Sequence, residues 1–336
     1  MKPSTDPFRA AAPGGSSSCR VAALALVACV ATIPARAADR LTVVLDWTVN
    51  TNHTGLYVAE ALGHFDEAGL DVSIETPPDT GGEALVLSGA AEIGIGTQEG
   101  VTMARAAGRD LVAIAALIQH NTSGFASRAE AGIERPADMA GRRYGGWGSP
   151  IEEAMVRTLV ANDGGDPDAV EILPIGGLDF FAATEAGIDV AWVFEGWDVV
   201  AAELRGVATN YLPLATEPAL DWYTPIVIAT GRWLEDHPDL ARRFLGALER
   251  GYRFAVERPD EAAALLLEAA PELDAGLVRA SQRFLAGAYV ADADRWGEMD
   301  AARWSGFADW LRDNGLLDGE FEPAAAFTNE YLPAAR

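Results

Sequence analysis

The segment from Leu41 to Tyr57 sets a pattern that recurs along the chain. Hydrophobic residues alternate from Leu41 to Leu45 as in a half-buried β-strand, and a polar loop follows over 46–54. Gly55 begins an apolar run that predicts a single helix up to Ala68, ending at Gly69. Open α/β sheets bind ligands where a strand ends and a helix begins. The pattern therefore predicts that this loop forms one wall of a small-molecule site.

Predicted strands and helices alternate through most of the chain. Strands are predicted at residues 41–45, 70–74, 91–97, 111–119, 170–174, 190–194 and 226–229, with a further extended segment at 122–128. Beyond residue 234 the pattern is almost wholly helical, over 238–257, 260–269, 274–289 and 300–313. This β-α alternation predicts an α/β fold with mainly parallel, buried sheets.

Residues 1–37 have the pattern of a secretory leader. Arg20 supplies a positive flank, residues 21–33 form an apolar core, and Ala35-Arg36-Ala37 provides an A-x-A cleavage site. The apolar core is too short for a permanent membrane span. We expect the leader to be removed and the mature protein to be periplasmic.

Both cysteines, Cys19 and Cys29, lie inside this leader. The mature chain therefore needs no disulfide and has no thiol chemistry. A lipoprotein box at 26–29 is the competing interpretation, in which Cys29 is lipidated and tethers the chain. We favour simple cleavage, because Val30 is a poor residue after a lipidated cysteine.

Removing the leader takes out four of the 25 basic residues and one of the 50 acidic residues, which leaves a net charge of −28. Such a charge repels nucleic acid and excludes a general polyanion binder, although it also serves ordinary solubility. Lys2 is the only lysine. The mature chain therefore cannot form a Schiff base with pyridoxal phosphate or use a P-loop lysine.

Patterns typical of enzymes and metal sites are missing from the sequence. The Gly94-x-Gly96 pair lacks the third glycine of a dinucleotide fingerprint, and there is no G-x-S-x-G nucleophile elbow. The histidines show no paired metal-ligand spacing; they are His53, His64, His120 and His237. We therefore expect no catalytic residue, no metal site and no cofactor.

The polar loop at 46–54 carries the first candidate ligand-binding residues. Trp47 lies among polar residues, which favours stacking on a planar ligand over packing in the core, and Asp46 and Asn50 offer hydrogen-bonding groups. His53 precedes a helix, so ligand contact and a role as a loop anchor are equally favoured. Tyr57 lies on an apolar helix face and is expected to pack.

The same loop carries a resemblance to a known family. DWTVNTNHTG at 46–55 resembles the thiamine-pyrimidine-precursor binding proteins of ABC importers, in the NMT1/THI5-like family. GHFDEAGLDV at 63–72 and SGAAEIGIGT at 88–97 resemble segments general to the wider group, which includes nitrate, sulfonate, taurine and riboflavin binders and a pyrimidine-precursor synthase. The resemblance covers residues 40–330 in outline. Val49 departs from it, because proline is expected there.

The resemblance implies a type II periplasmic binding protein fold, with two doubly wound α/β lobes and a ligand closed between them. Lobe 1 would comprise residues 38–124 and 226–336, and lobe 2 residues 128–222. The hinge would lie near 122–128 and 222–226. Such clefts close by hinge motion around their ligand.

The glycines at 145, 146 and 148 precede a predicted helix, whose N-terminus would hold an anion in the anion-binding relatives. Here the only nearby basic residues are two arginines at 142–143, and Trp147 is inserted among the glycines. This composition favours aromatic packing or a polar backbone contact over binding of a sulfonate or nitrate. A plain helix cap is the alternative.

Polar residues follow two predicted buried strands directly. Gln98 and Glu99 come after the strand at 91–97, where they either face the cleft or cap the next helix. Glu195 follows the strand at 190–194 and is the strongest single candidate for ligand contact. A carboxylate there can accept hydrogen bonds from an exocyclic amine or a protonated ring nitrogen.

Three aromatic residues, Trp197, Trp222 and Tyr223, would supply the face opposite Trp47, with one or two of them structural. We expect a monomeric periplasmic receptor that delivers a hydroxymethyl- or formylaminomethyl-pyrimidine to an ABC permease. Riboflavin or an alkanesulfonate such as taurine is the alternative ligand. The synthase is a further alternative, which the lysine-free mature chain and the leader oppose.

Overall fold

The computed structural model describes residues 37–77, 81–318 and 321–334. The predicted leader, including Cys29 and all but the last residue of its cleavage site, lies outside these ranges. Within them, no helix is both long enough and apolar enough to cross a membrane.

Ten strands form two five-stranded sheets in the described part of the chain. They are β1 (Asp39–Val44), β2 (Leu70–Glu75), β3 (Ile93–Gly96), β4 (Val112–Ala116), β5 (Ser123–Arg128), β6 (Arg143–Gly146), β7 (Glu171–Pro174), β8 (Val190–Phe194), β9 (Thr209–Pro213) and β10 (Ile226–Ala229). Sheet 1 has the order β2-β1-β3-β10-β4, and sheet 2 has the order β7-β6-β8-β5-β9. The predicted α/β fold is confirmed.

The two sheets follow one plan. In sheet 1, β1 pairs in parallel with β2 and β3, and β10 runs antiparallel between β3 and β4. In sheet 2, β6 pairs in parallel with β7 and β8, and β5 runs antiparallel between β8 and β9. Strands β3, β4 and β10 are buried along their whole length, which explains their uninterrupted apolar sequences.

Helices surround both sheets. They are α1 (Thr54–Ala61), α2 (His64–Glu67), α3 (Gly82–Ser88), α4 (Gln98–Ala106), α5 (Pro150–Asn162), α6 (Phe180–Glu185), α7 (Val200–Leu204), α8 (Gly231–Asp236), α9 (Pro238–Glu257), α10 (Pro259–Ala269), α11 (Ala275–Ala286), α12 (Ala301–Asp313) and α13 (Pro323–Ala326). The four long helices predicted after residue 234 correspond to α9–α12. The single helix expected up to residue 68 is instead α1 and α2, because Gly63 adopts a left-handed conformation with φ 70° and ends the first helix.

Helix α9 packs against α1 and α2, and its apolar face joins the hydrophobic core that also contains Leu41 and Val43 of sheet 1. Phe244, Leu248 and Tyr252 are fully buried on this face. Gly251 and Gly55 allow α9 and α1 to cross closely, since a Cβ added to Gly251 would overlap the carbonyl oxygen of Gly55. This close packing holds the start of α1, and therefore the loop before it, against a rigid support.

The chain passes between the sheets twice. It leaves sheet 1 after Ala116 and enters sheet 2 at Ser123, and it returns between Pro213 and Ile226. The first predicted hinge segment, 122–128, is mostly strand β5, because these residues pair with β8 and β9. The two connections place the carboxyl ends of the parallel strands of both sheets around a common space.

Candidate functional site

A cavity of about 370 Å³ lies at the carboxyl ends of the parallel strands of the two sheets. Its volume is within the range of small-molecule sites. Sheet 1 supplies the loop after β1 and Thr97 after β3, and sheet 2 supplies residues of β6 and β8 together with the segments that follow β6, β7 and β8. The segments from sheet 2 are 145–147, 175–180, 191–194 and 196–198. The prediction that the first loop forms one wall agrees with this placement.

The loop after β1 is held rigid by its own polar groups. The Asn50 side-chain oxygen accepts the N–H of Asn52 at 2.8 Å, and the Asn50 amide donates to the carbonyl of Thr48 at 2.9 Å. Tyr252 and Tyr289 anchor the loop from the helical side by donating their hydroxyls to the carbonyls of Asn52 and Thr51, both at 2.6 Å. The cavity wall on this side is therefore preorganised.

Asp46 is oriented by a buried histidine. His53 is fully buried, and its Nε2 lies 2.7 Å from Oδ1 of Asp46. Its Nδ1 accepts the backbone N–H of Asn50 at 3.3 Å. Because a backbone N–H is always a donor, Nδ1 carries no proton and Nε2 donates to Asp46. His53 thus acts as an anchor behind the wall, and the Asp46 carboxylate lines the cavity.

Two tryptophans expose large apolar surfaces at the cavity, one from each sheet. Trp47, after β1, is 49% exposed, and Trp147, after β6, is 54% exposed. Exposed rings of this size are costly in water and mark binding surfaces when they line a concave site. Together the two indole rings suit a flat ligand that can stack.

Further aromatic residues continue the wall on the side of sheet 2. Trp192 and Phe194 stack with ring centroids 6.4 Å apart, and Phe180 lines the wall beside them. Trp197 lies in a π-helical turn at Glu195–Val199, lines the cavity and also packs against the cluster that contains Leu266. The predicted aromatic face opposite Trp47 is therefore built mainly by sheet 2.

Carboxylates provide the charged part of the wall. Asp46, Asp179 and Asp198 line the cavity, whereas no arginine, lysine or histidine among the described residues does so. Burial raises the pKa of Asp198 to about 6, although its hydrogen bond from the N–H of Phe194 opposes the rise. The cavity therefore has a negative potential and acceptors for N–H donors.

Glu195 lies beside the cavity without lining it. Its backbone N–H donates to the carbonyl of Thr122 at 2.9 Å, and its side chain is partly buried at the start of the π-helical turn. Burial and then Glu203 raise the pKa of its carboxyl. The turn carries Asp198, three residues later, to the wall instead.

Three of the other predicted site residues lie within the packing at the return connection. Trp222 is 2% exposed and stacks at a tilt on Phe307, with ring centroids 4.9 Å apart. The side-chain oxygen of Gln98 accepts the N–H of Tyr223 at 2.9 Å, and the Gln98 N–H donates to the Tyr223 carbonyl at 3.0 Å. The Tyr223 hydroxyl accepts the N–H of Asp300 at 2.9 Å, so contacts within the protein account for all three side chains.

Glu99 also lies behind the wall, in an acidic group with Glu83 and Glu152. Burial, followed by the charges of Glu83 and Glu152, raises its pKa to about 7. No group of histidine, cysteine, aspartate or glutamate residues in the described chain is arranged to hold a metal ion. Of the eleven predicted ligand-binding residues, the cavity wall includes five: Asp46, Trp47, Asn50, Trp147 and Trp197. Ligand contact by any of them stays a prediction.

Several wall residues were not predicted from the sequence. The loop at 175–178 and Asp179 join the end of β7 to α6, and Asp198 follows β8. The rule that selected the loop after β1 applies equally to β7, so this strand end was a usable signal. Leu285 on α11 carried no such signal, because it is an ordinary apolar residue of a helix.

Comparisons with known proteins agree with this architecture. The sequence profile of the family described as "NMT1/THI5 like" matches residues 50–262. The formylaminopyrimidine-binding protein of Halalkalibacterium halodurans is 26% identical over 301 residues, which are 87% of this chain and 91% of that protein. The 4-amino-5-hydroxymethyl-2-methylpyrimidine phosphate synthase of Legionella pneumophila is 24% identical, over 88% of this chain and 93% of that protein.

A solved structure shows the same fold. The periplasmic aliphatic sulphonate binding protein of Escherichia coli superposes with a TM-score of 0.68 at 16% identity, over 87% of this chain and 99% of that protein. At this identity the likeness concerns the fold alone. It confirms the predicted type II periplasmic binding protein fold.

Proposed function

The chain belongs to the NMT1/THI5-like family, and from this premise we propose that it is the solute-binding component of an ABC importer that takes up a thiamine-related aminopyrimidine. The ligand is a hydroxymethyl- or formylaminomethyl-pyrimidine held in the cavity between the two sheets. The observation that carries this proposal is the pair Trp47 and Trp147, two exposed indoles that line one cavity from different sheets.

The aromatic wall suits the flat face of a pyrimidine. Stacking on an indole contributes about 0.5–1.5 kcal/mol beyond the burial of area. A two-sided stack from Trp47 and Trp147 also requires both sheets, so the ligand stabilises an arrangement in which they approach. This coupling supports closure by a hinge motion at the two connections between the lobes. Lobe 1 comprises residues 38–124 and 226–336, and lobe 2 comprises residues 128–222.

The acidic wall suits the amino group and ring nitrogens of the same ligand. Asp46 is held by His53 through Oδ1, and in the described chain no hydrogen bond occupies its Oδ2. Asp198 supplies a second carboxylate from sheet 2. Carboxylates accept charge-assisted hydrogen bonds from an exocyclic amine or a protonated ring nitrogen.

A sulfonate or taurine fits this wall poorly. Cationic side chains are the usual partners of a sulfonate, and the part of the chain that the structure describes places none in the lining. The negative potential of Asp46, Asp179 and Asp198 would repel such a ligand. The composition of the wall therefore favours the aminopyrimidine over this alternative.

A binding role also agrees better with the sequence than a synthase role. One relative carries the name of a pyrimidine phosphate synthase, but the only lysine here is Lys2, inside the predicted leader. The mature chain therefore has no amine for a pyridoxal imine apart from its N-terminus. We propose that the protein is exported to the periplasm and delivers its ligand, as a monomer, to a permease.

Isothermal titration calorimetry of the mature protein tests this function. Hydroxymethyl- and formylaminomethyl-aminopyrimidine should bind one to one with a Kd below about 10 µM. Taurine should give no heat at a hundredfold excess, and riboflavin should bind more weakly than the pyrimidines. Binding of taurine or riboflavin in preference to both pyrimidines would refute the assignment. An absorption band of a bound pyridoxal imine would refute the non-enzymatic role.

A further inference from the structure

We infer that Glu152 is a specificity-determining residue, whose carboxylate fills an anion-binding position at the start of α5 and so keeps anionic ligands out of the cavity. The inference rests on the proposed function, because it concerns the same cavity. It assigns a role in ligand selection to a residue that does not line the wall.

The Glu152 carboxylate takes the backbone donors that an anion would need. It accepts the N–H of Trp147 at 2.8 Å through Oε2 and at 3.0 Å through Oε1. It also receives the N–H of Ser149 and the hydroxyl of Tyr144, both at 3.4 Å. Helix α5 is 13 residues long, and its dipole adds a favourable positive potential at this end.

The site is built around this internal carboxylate. Glu152 is 1% exposed, and none of the ion pairs found among the described residues includes it. A Cβ added to Gly146 would overlap its Oε2, so the loop requires glycine at this position. In the described chain the hydrogen-bond donors to this carboxylate are all neutral groups of the same loop and of Tyr144, so these donors are already taken up by a group inside the protein.

The position is directly behind the cavity. Gly145, Gly146 and Trp147 line the cavity through the same loop that binds Glu152. A ligand carboxylate, sulfonate or phosphate at this wall would find its donors occupied and would face the charge of Glu152. A neutral or cationic heterocycle needs none of these donors and can stack on Trp147 undisturbed.

Removing the internal carboxylate should therefore open the wall to anions. We would titrate methanesulfonate, inorganic phosphate and the hydroxymethyl-aminopyrimidine separately into the wild type and three variants, Glu152→Ala, Glu152→Gln and Glu153→Ala. Glu153 is exposed and lies next along the helix, so Glu153→Ala is the matched control. Circular dichroism and the thermal midpoint establish which variants fold.

We expect Glu152→Ala to bind at least one of the two anions about tenfold or more tightly than the wild type and Glu153→Ala do. Glu152→Gln should show a smaller gain, because the charge is removed while the volume stays. If Glu152→Ala does not fold, the gain in anion affinity of Glu152→Gln tests the inference in its place. A folded variant with no gain for either anion, or a wild type that already binds them equally well, overturns the inference.

These outcomes are separable from a failure of the proposed function. If the wild type binds no aminopyrimidine but Glu152→Ala gains anion binding, the function is refuted and the role of Glu152 stands. If the wild type binds the pyrimidine but neither folded Glu152 variant gains anion binding, the function stands and the role of Glu152 is refuted.

Discussion

His53 donates a hydrogen bond through Nε2 to Oδ1 of Asp46, at 2.7 Å, from a position that is itself fully buried. The other ring nitrogen, Nδ1, accepts the backbone N–H of Asn50, so the ring has one tautomer and one orientation. A side chain that never reaches the cavity therefore fixes a carboxylate that does. The pair explains why an imidazole lies at the start of α1 and still belongs to the site.

Replacing His53 should weaken ligand binding without removing a ligand contact. His53→Ala frees the Asp46 carboxylate and removes a buried hydrogen bond to a charged group, worth about 1.5–3 kcal/mol. We expect about a tenfold rise in Kd for the aminopyrimidine, measured by calorimetry. The control His237→Ala, at an exposed histidine, should leave Kd unchanged. An unchanged Kd in a folded His53→Ala variant would contradict the anchoring role.

The tryptophans should divide into binding and structural residues. Trp47→Ala and Trp147→Ala should each raise Kd about 10- to 100-fold and barely change the thermal midpoint, because both rings are about half exposed. Trp222→Ala should instead destabilise the fold by about 3–5 kcal/mol, because the ring is buried against Phe307. Chemical denaturation and calorimetry of the same samples measure both effects. A reversed pattern would refute the assignment of the wall.

Stability should fall as the acidic group behind the wall ionises. Burial first, then Glu83 and Glu152, raise the pKa of Glu99 from its ordinary 4.5 to about 7. Between these two values the folded state holds a proton that the unfolded state releases, so the contribution of Glu99 to stability decreases as pH rises through this window.

Glu99→Gln should therefore raise the thermal midpoint at pH 8 relative to the wild type and change it little at pH 4. The exposed Glu268→Gln serves as the control, with the same small shift at both values of pH. Differential scanning fluorimetry measures both. A Glu99→Gln shift of equal size at pH 4 and pH 8 would show that ionisation of this carboxyl does not matter.

His120 should stabilise the connections between the sheets only while it is protonated. Its Nδ1 lies 2.7 Å from Asp221 and its Nε2 lies 2.9 Å from Asp292, so both ring nitrogens face carboxylates. Partial burial and the nearby Arg303 lower the pKa of His120, but the two hydrogen bonds outweigh them and leave the pKa above its ordinary value. This stabilisation is complete below about pH 6.5 and is lost as pH rises through the raised pKa.

His120→Gln should accordingly lower the thermal midpoint at pH 5.5 and leave it nearly unchanged at pH 9. His237→Gln should show no such dependence on pH. A loss that is equal at both values would mean that His120 acts through packing and not through its charge.

The sequence predicted the fold well where local signals and tertiary packing agree. The strand-loop-helix pattern at 41–57 and the long helices after residue 234 appear as predicted, because their apolar faces are also the faces that pack. At Gly63 a left-handed glycine interrupts one predicted helix, a feature that composition alone did not favour over a continuous helix.

The candidate site was predictable in part. Trp47 lies among polar neighbours and lines the cavity, but Trp222 also has polar neighbours, Asp221 and Thr224, and lies in the core, so the local sequence did not separate the two tryptophans. The sequence predicts Glu195 as a ligand contact because it follows the strand directly, and it predicts no role for Asp198. The π-helical turn at Glu195–Val199 places Asp198 at the cavity wall and Glu195 beside it. No pattern in the sequence predicts such a turn. The wall residue Leu285 depends on how α11 packs against the π-helical turn that contains Gly196, which is a property of the tertiary structure.

A crystal structure of the protein grown with the hydroxymethyl-aminopyrimidine tests the central claim most directly. The account predicts the pyrimidine ring stacked between Trp47 and Trp147, with its amino group about 3 Å from a carboxylate oxygen of Asp46 or Asp198. A ligand bound outside this cavity, or inside it without either indole against its face, would contradict the account.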